Sequence, residues 1–367
     1  MRNHAQFSSI NTATGPLPPL PFEPHGEDIT ELLEMHRGEM AYGAMLVAQD
    51  PPVHTRSRRL LAGLLTPKRF RENETYLSGL ADRMIDGFLD HGRIEVIGDY
   101  AHPFATYAIA DLLGMPEEAL AEVLAHVGNL PGQIGGEPQS NNPLENLAGR
   151  FYDYIAERRA APRDDVMTIL AQTTHSDGTL PDILEIVSLA ALLFGAGQDT
   201  TVRLIAAAIM TLAETPELQQ ILREDSSLIP AFNEEVLRMN GPTKSFFRMA
   251  KQPVRVGNLD VAPGTTIMLI PTAMNRDPRK FDDPDTFQLD RANVRNHLAF
   301  GYGVHACIGA PLARAEAKLT IEKLLARVKN IRLAESEHGP HGARRFDYEP
   351  NYTQRALRNL HVTFDKI

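Results

Sequence analysis

The chain has one cysteine and no tryptophan in 367 residues, and aromatic side chains make up only 7 % of it. A single cysteine excludes an intramolecular disulfide and is consistent with a reducing compartment. Positive charge is scarce as well. Lysine and arginine number 37 against 47 acidic residues, a net charge of −10, which argues against nucleic acid as a general partner. Long apolar runs are missing. The most apolar stretch, Ile186 to Gln198, is thirteen residues without a charge, whereas a bilayer span needs about twenty. Met1-Arg2-Asn3-His4-Ala5-Gln6-Phe7 lacks the apolar core of a signal peptide. The expectation is a cytoplasmic protein that engages neither membrane nor nucleic acid. Apolar residues, at 43 %, suffice for a large core. The length suits two or three domains or one large one, and no internal repeat is found.

The one cysteine lies in Phe300-Gly301-Tyr302-Gly303-Val304-His305-Ala306-Cys307-Ile308-Gly309, among three glycines and just before a helical run from about Ala310 to Val328. Glycine lets such a segment turn sharply and approach a flat partner. A thiolate at Cys307 would meet the free N–H groups and dipole of the helix start, which suits a sulfur that ligates iron. A lone cysteine can also be a small buried hydrophobe. Gly301 to Ala306 also fits a dinucleotide-binding fingerprint, but Arg295-Asn296-His297-Leu298-Ala299 is a poor strand to precede one. The whole ten-residue pattern resembles the haem-binding loop of the cytochrome P450 family. The resemblance implies Cys307 as the proximal ligand of haem b, with Phe300, His305 and Gly309 as the matching loop positions.

Further stretches resemble the same family. In Pro51-Pro52-Val53-His54-Thr55-Arg56-Ser57-Arg58, His54 and Arg58 are four apart and share a helix face. Read alone, this is a solvated basic helix. The resemblance implies that both bind a haem propionate, joined by Arg248 and His305, so that donors meet two otherwise buried carboxylates. A long apolar helix is expected from Thr179, as its cap, to Glu214, stopped by Thr215-Pro216. At its centre, Ala196-Gly197-Gln198-Asp199-Thr200-Thr201 is poor helix chemistry. A threonine hydroxyl there can bond back to the carbonyl four residues earlier. An aspartate in so apolar a helix needs a partner or a purpose. The segment resembles the family's oxygen-activation motif, which implies catalytic roles for Asp199, as proton feed, and Thr200. Glu235 and Arg238 are by spacing an ordinary surface pair. The resemblance makes them, with Arg291, a structural network.

Coarsely, helices are expected at Asp28–Arg37 and across Tyr76–Ala171, with breaks near Gly92, Gly114 and 132–143. In the family, the last break joins two helices that roof the substrate pocket. Short strands are expected at Val254–Val256, Leu259–Val261, Thr265–Pro271 and Leu360–Phe364, and Arg355 and Arg358 are read as solvent charges. The fold implied is mainly α with small β-sheets: a single triangular domain over 1–367 with a long central helix over haem. The resemblance also implies more chain before residue 1. Arg2 to Ser9 is similar to the exit of the family's second helix, the reading frame is expected to start late, and the strands at 254–271 are expected to lack neighbours and expose an edge.

The function implied is a haem-thiolate monooxygenase that inserts one oxygen atom of O2 into a small apolar substrate. No flavin or iron–sulfur motif is found, so a ferredoxin with its reductase is the implied electron donor, docking at Arg56, Arg59, Arg314 and Lys318. The substrate pocket is expected to draw on the 38–50 loop, Leu192–Ala196 and Thr243–Phe247, with Ala196, Lys244 and Ser245 as contacts. Two alternatives stay open: a peroxide-driven peroxygenase, and a haem-binding protein with little turnover.

Overall fold

The structure, a computed structural model, describes residues 3–17, 19–40, 42–115 and 143–367, with side chains from 147 onward in the last span. Of the break expected at 132–143, all but Pro143 lies outside these residues, as does position 41 of the 38–50 loop.

Helices carry the mass of the chain. A short α1 (Thr30–Met35) precedes α2 (Val53–Arg59) and α3 (Pro67–Leu89). In α3, Thr66 caps the first turn by accepting from the Arg69 N–H, and Pro67 sits where no N–H is needed. Its buried Asn73, Leu77, Leu80, Ala81, Ile85 and Phe88 recur at helical spacing. Then come α4 (His102–Leu113), ended by left-handed Gly114 (φ 70°), α5 (Pro143–Ala160) and α6 (Val166–Ala171). The long helix α7 runs Ile183–Glu214. Its cap is Asp182, which accepts from the Leu184 N–H, and not the expected Thr179, which is occupied in a turn with Asp177. After α7 come α8 (Pro216–Glu224), α9 (Ile229–Asn240), a short α10 (Pro271–Met274) and α11 (Ala310–Arg327).

Helix α7 is the one helix among the described residues long and apolar enough to cross a membrane. It packs instead against α4, α5, α9 and α11, and from Thr201 to Leu212 all but Arg203 are buried. Gly197 is there for packing: a Cβ on it would lie 3.0 Å from Ile109 Cδ1 of α4. The helix runs unbroken through the Gly-Gln-Asp-Thr segment.

The strands form three small antiparallel sheets. Strands β1 (Phe7–Ser8) and β6 (Thr266–Leu269) flank β3 (Phe246–Ala250). β2 (Arg93–Glu95) and β7 (Val328–Leu333) flank β8 (His361–Lys366), and β4 (Val254–Val256) pairs with β5 (Leu259–Val261). The strands at 254–271 therefore do find neighbours, contrary to expectation, but β6 has a strand on one side only among the described residues. Just before β1, the Phe7 N–H reaches the Asn3 carbonyl at 3.1 Å, one helical turn. Where β7 shifts register between Lys329 and Arg332, buried Gln219 of α8 replaces the lost ladder. It donates to the Ile331 carbonyl (2.8 Å) and accepts from its N–H (2.9 Å).

Two adjacent carboxylates on α9 anchor the loops that follow it. Glu235 is fully buried and accepts from Arg238 Nε (2.7 Å) and Nη2 (2.8 Å), from Arg291 Nε (3.0 Å) and from the Gln288 N–H (3.0 Å). The remaining donors of Arg238 and Arg291 go to the carbonyls of Asn275, Asp282, Pro284 and Thr286. Burial works to raise the Glu235 pKa, and these hydrogen bonds outweigh it, leaving it lowered. Such a trio holds only while every member is satisfied. Arg355, expected in solvent, is half-buried and donates to Asn240 Oδ1 at 2.6 Å.

Two predictions follow from the core charges. Glu235→Ala is expected to cost about 3–5 kcal/mol in denaturant titration, because it strands two buried guanidinium groups; a loss under 1 kcal/mol, roughly a surface pair's worth, would mean the trio is not structural. Glu316 of α11 is 0 % exposed, neither carboxyl oxygen has a partner among the described residues, and burial pushes its pKa well above 4.5. The folded state then holds a proton that the unfolded chain releases above about pH 4.5. Stability falls as pH rises through that window, by up to about 1.4 kcal/mol per pH unit. Glu316→Gln should flatten this decline, so that the melting temperatures of variant and wild type diverge as pH rises above about 4.5. Parallel curves would show an ionised carboxylate.

Candidate active site

The segment 300–309 bends because glycine allows it: Gly301 and Gly303 have φ of 67° and 79°. The Cys307 N–H then closes onto the Phe300 carbonyl at 2.8 Å. Ahead of α11, the Gly309 and Ala310 N–H groups bond to the Cys307 sulfur, as the helix-start argument expected. A side chain at Gly309 would bring its first carbon within 3.9 Å of that sulfur. The thiol is open to a solvent-sized probe although protein rings it on most sides. Burial pushes its pKa up, and the two N–H groups, Arg58 and Arg314 oppose that rise without overcoming it. Position at a helix start therefore does not ionise Cys307 by itself; a bound metal would.

Glu234 braces this loop. It accepts from Arg314 Nε and Nη2 (2.5 and 2.9 Å) and bonds to His297 Nε2 (3.1 Å), while the Arg314 guanidinium lies 4.5 Å over the Phe300 ring. Burial acts to raise the Glu234 pKa, but His297 and Arg314 bring it down to about 2. Arg314 is thus paired with Glu234, and Lys318 with Glu322 at 2.8 Å, while each keeps more than a third of its side chain exposed.

The donors expected from the sequence come together beside the loop. One Arg58 Nη reaches the Ala306 carbonyl (2.7 Å), and the His54 and His305 ring centres lie 4.1 Å apart with their planes tilted by 48°. Ser9 Oγ meets His305 Nε2 at 3.0 Å, and Arg248 Nη1 reaches Thr12 Oγ1 at 3.0 Å. His54 is 1 % exposed, and neither ring nitrogen has a partner among the described residues. Burial, then the neighbouring cations, lowers the pKa of His54 and takes that of His305 to about 3; burial lowers those of Arg58 and Arg248. Buried and half-buried donors crowded together, His54 with no partner at all among the described residues, suit a ligand with two carboxylates. With the accessible sulfur beside them, they fit a haem. Sequence reasoning missed Asp50, the buried carboxylate nearest this cluster. It accepts from the Ser8 hydroxyl and the Ser9 N–H (2.9 Å), partners about forty residues away that leave no local signal.

On α7, Leu192, Ala196 and Thr200 share one face at four-residue spacing, and Ala196 is exposed in mid-helix. Thr200 Oγ1 donates to the Ala196 carbonyl at 2.8 Å, so its lone pairs remain free to accept. Asp199 has a partner that sequence reasoning overlooked: Arg203 forks onto it through Nε (3.1 Å) and Nη2 (2.6 Å). The spacing of four along a helix was the available signal. Arg203 Nε also reaches Gln354 Oε1 (2.9 Å), in a turn stitched to the 242–245 segment. The Lys244 N–H donates to the Thr353 carbonyl and the Ser245 hydroxyl to that of Tyr352, each at 2.8 Å. Ser245 is 1 % exposed with its hydroxyl spent, so it supports the turn and does not offer the expected substrate contact. Half-buried Lys244 has no side-chain partner among the described residues.

A model of the family described as Cytochrome P450 matches residues 145–332. The Biotin biosynthesis cytochrome P450 of Bacillus subtilis is 32 % identical over 88 % of this chain and 80 % of its own. The Cytochrome P450 monooxygenase PikC of Streptomyces venezuelae is 32 % identical over 80 % of this chain and 71 % of its own. Among solved structures, the substrate-free cytochrome P450 CYP150A6 of Mycobacterium marinum superposes with a TM-score of 0.94 at 45 % identity, covering 100 % of this chain and 87 % of that one. The thiol loop, the cationic cluster and the acid–alcohol pair on α7 thus sit in a fold shared along the whole chain, and the protein belongs to the bacterial cytochrome P450 family, a haem-b-binding haem-thiolate monooxygenase.

Proposed function

We propose that Cys307 is the axial ligand, that His54, Arg58, Arg248 and His305 hold the two propionates, and that Asp199 and Thr200 deliver protons during hydroxylation of a small apolar substrate bearing an acidic group. The observation that carries this is the convergence of an accessible thiol with two buried donors, His54 and Arg248, and two half-buried ones, Arg58 and His305, with both ring nitrogens of His54 unpartnered among the described residues. When bound, the haem supplies dioxygen reduction and oxygen-atom transfer. Two electrons and two protons enter, one oxygen atom goes to the substrate and the other leaves as water.

The residues of the chain do the rest. Asp199 is 35 % exposed and can exchange protons with solvent, while Arg203 keeps its carboxylate aimed along α7. Thr200 can accept at Oγ1 from the Asp199 side, since its lone pairs are free, and passes its own proton onward when its hydroxyl turns away from the Ala196 carbonyl. The exposed Ala196 face leaves room for an apolar skeleton. The ammonium of Lys244, unpaired and half-buried, selects a carboxylate. Apolar ligands are named for relatives: hexadec-9Z-enoic acid on an acyl carrier protein for P450BioI, corticosterone and testosterone for CYP109E1 of Bacillus megaterium.

One cysteine cannot hold an iron–sulfur cluster, so we assign electron supply to a separate ferredoxin with its reductase, in the cytoplasm. The peroxide-driven reading loses ground because the acid–alcohol pair is in place.

Titrating the holoprotein with dodecanoate and dodecanol, and following the low-to-high-spin shift, tests the substrate reading. Dodecanoate should bind about tenfold tighter, and Lys244→Met should erase that preference; equal affinities in the wild type would rule out a carboxylate contact. With a surrogate ferredoxin system, Asp199→Asn should lower turnover by about 10²-fold while leaving the spin shift intact. Unchanged turnover would remove Asp199 from proton delivery. Cys307→Ala should abolish the red-shifted Soret band that thiolate ligation gives the reduced carbon monoxide complex. A retained band would displace Cys307 as ligand.

A further inference from the structure

Helix α2 has two working faces. His54 and Arg58 point toward the thiol loop, and Thr55, Arg56 and Arg59 lie on the exposed side. There, a hollow of about 530 Å³ opens between α2 and the 172–182 loop. His4, Pro51, Pro52, Thr55, Arg56, Arg59, His175 and Ser176 line it. No acidic side chain is among them. The nearby carboxylates sit behind it: Glu185 lies 3.4 Å from His175, and Asp177 is close enough to Arg56 for that cation to help lower its pKa. The volume falls in the range of about 300–1,000 Å³ typical of small-molecule clefts.

One arginine is held in place for this hollow. Arg56 Nε donates to His175 Nδ1 at 3.1 Å. A guanidinium has donors only, so His175 must accept there and carry its proton on Nε2. That nitrogen faces Glu185 Oε2 at 3.4 Å. Glu185 is fixed in turn by the Ser57 hydroxyl at 2.9 Å, and His175 is 6 % exposed. The chain Ser57–Glu185–His175 thus orients Arg56 while using one of its five donors. Arg59, one helical turn from Thr55, has no partner for its guanidinium among the described residues. The nearest acid on the loop, Asp177, is bonded to the Thr179 N–H and hydroxyl. Two guanidinium forks, one braced by a buried histidine, with the hydroxyls of Thr55 and Ser176 beside them, match the oxygens of a phosphate group.

We propose that this hollow binds a phosphate-bearing small molecule, with Arg56 and Arg59 as its forks and His175 as the residue that positions Arg56. The proposal is independent of the haem site and of the substrate, and it assigns Arg56 and Arg59 to a small anion in place of the ferredoxin docking expected of them from the sequence.

Isothermal titration of the haem-loaded protein with inorganic pyrophosphate, in about 150 mM chloride to screen loose ion pairing, tests it. One site per chain is expected. Arg56→Gln and Arg59→Gln should each weaken it about tenfold or more. His175→Phe should weaken it comparably. His175→Asn, whose side-chain carbonyl can still accept from Arg56, should bind within about threefold of wild type. Lys318→Gln, a cation outside the hollow, should bind as wild type. The reduced carbon monoxide spectrum of each variant reports that the fold is intact. Absence of binding, binding indifferent to both arginine variants, binding weakened equally by Lys318→Gln, or equal affinity for acetate would each overturn the assignment.

Discussion

Two neighbouring carboxylates on one helix hold the catalytic half of this molecule together. Glu234 and Glu235 leave α9 about 100° apart, so they serve different partners. Glu235 collects Arg238 and Arg291 and through them the carbonyls of the 275–286 segment. Glu234 collects His297 and Arg314, and Arg314 covers Phe300. One tethers the long loop leading to the thiol segment, and the other tethers that segment to the helix after it. Burying so much charge is tolerable only because nearly every lone pair and N–H finds a mate. The position of Cys307 is therefore set by ion pairs in the core more than by apolar packing around the loop itself.

Helix α7 carries Asp199 and Thr200 and is packed along most of its length except at one face. Gly197 lets α4 come close, Gln198 is tied to Thr106 at 2.7 Å, and Leu192, Ala196 and Thr200 are left to the cleft. Asp199 is the charge in that region, and Arg203 keeps it from being an isolated one. Through Gln354, the same arginine meets the 351–354 turn, and that turn meets Lys244 and Ser245. The acid proposed to feed protons and the residue nearest the proposed substrate carboxylate are thus joined by a short run of hydrogen bonds.

Much of this was legible before any coordinates. The breaks at Gly92, Gly114 and Thr215-Pro216, the strands at 254–256 and 259–261, and the run after Cys307 all fall where glycine, proline and periodicity put them. Illegible were features whose partners lie far away in the chain. Arg355 looked like a surface charge, and nothing near Asp50, Arg355 or Arg314 in sequence reveals Ser8, Asn240 or Glu234. Arg203 was different: its partner is four residues away, and attention to the Asp-Thr pair obscured an ordinary helical ion pair.

By itself, the sequence determined which residues could do the chemistry: a sole thiol in a glycine-rich bend, an acid and an alcohol in mid-helix, and His54 and Arg58 on one face. These are local matters of backbone freedom and helical spacing. The tertiary structure alone decided which charges are free to act. Whether a guanidinium is spent on a buried carboxylate, as Arg314 is, or left facing a hollow, as Arg59 is, depends on what folding brings within about 3 Å of it. Burial then decides how strongly each group holds its proton, which is why His305 and Cys307 titrate away from their ordinary values.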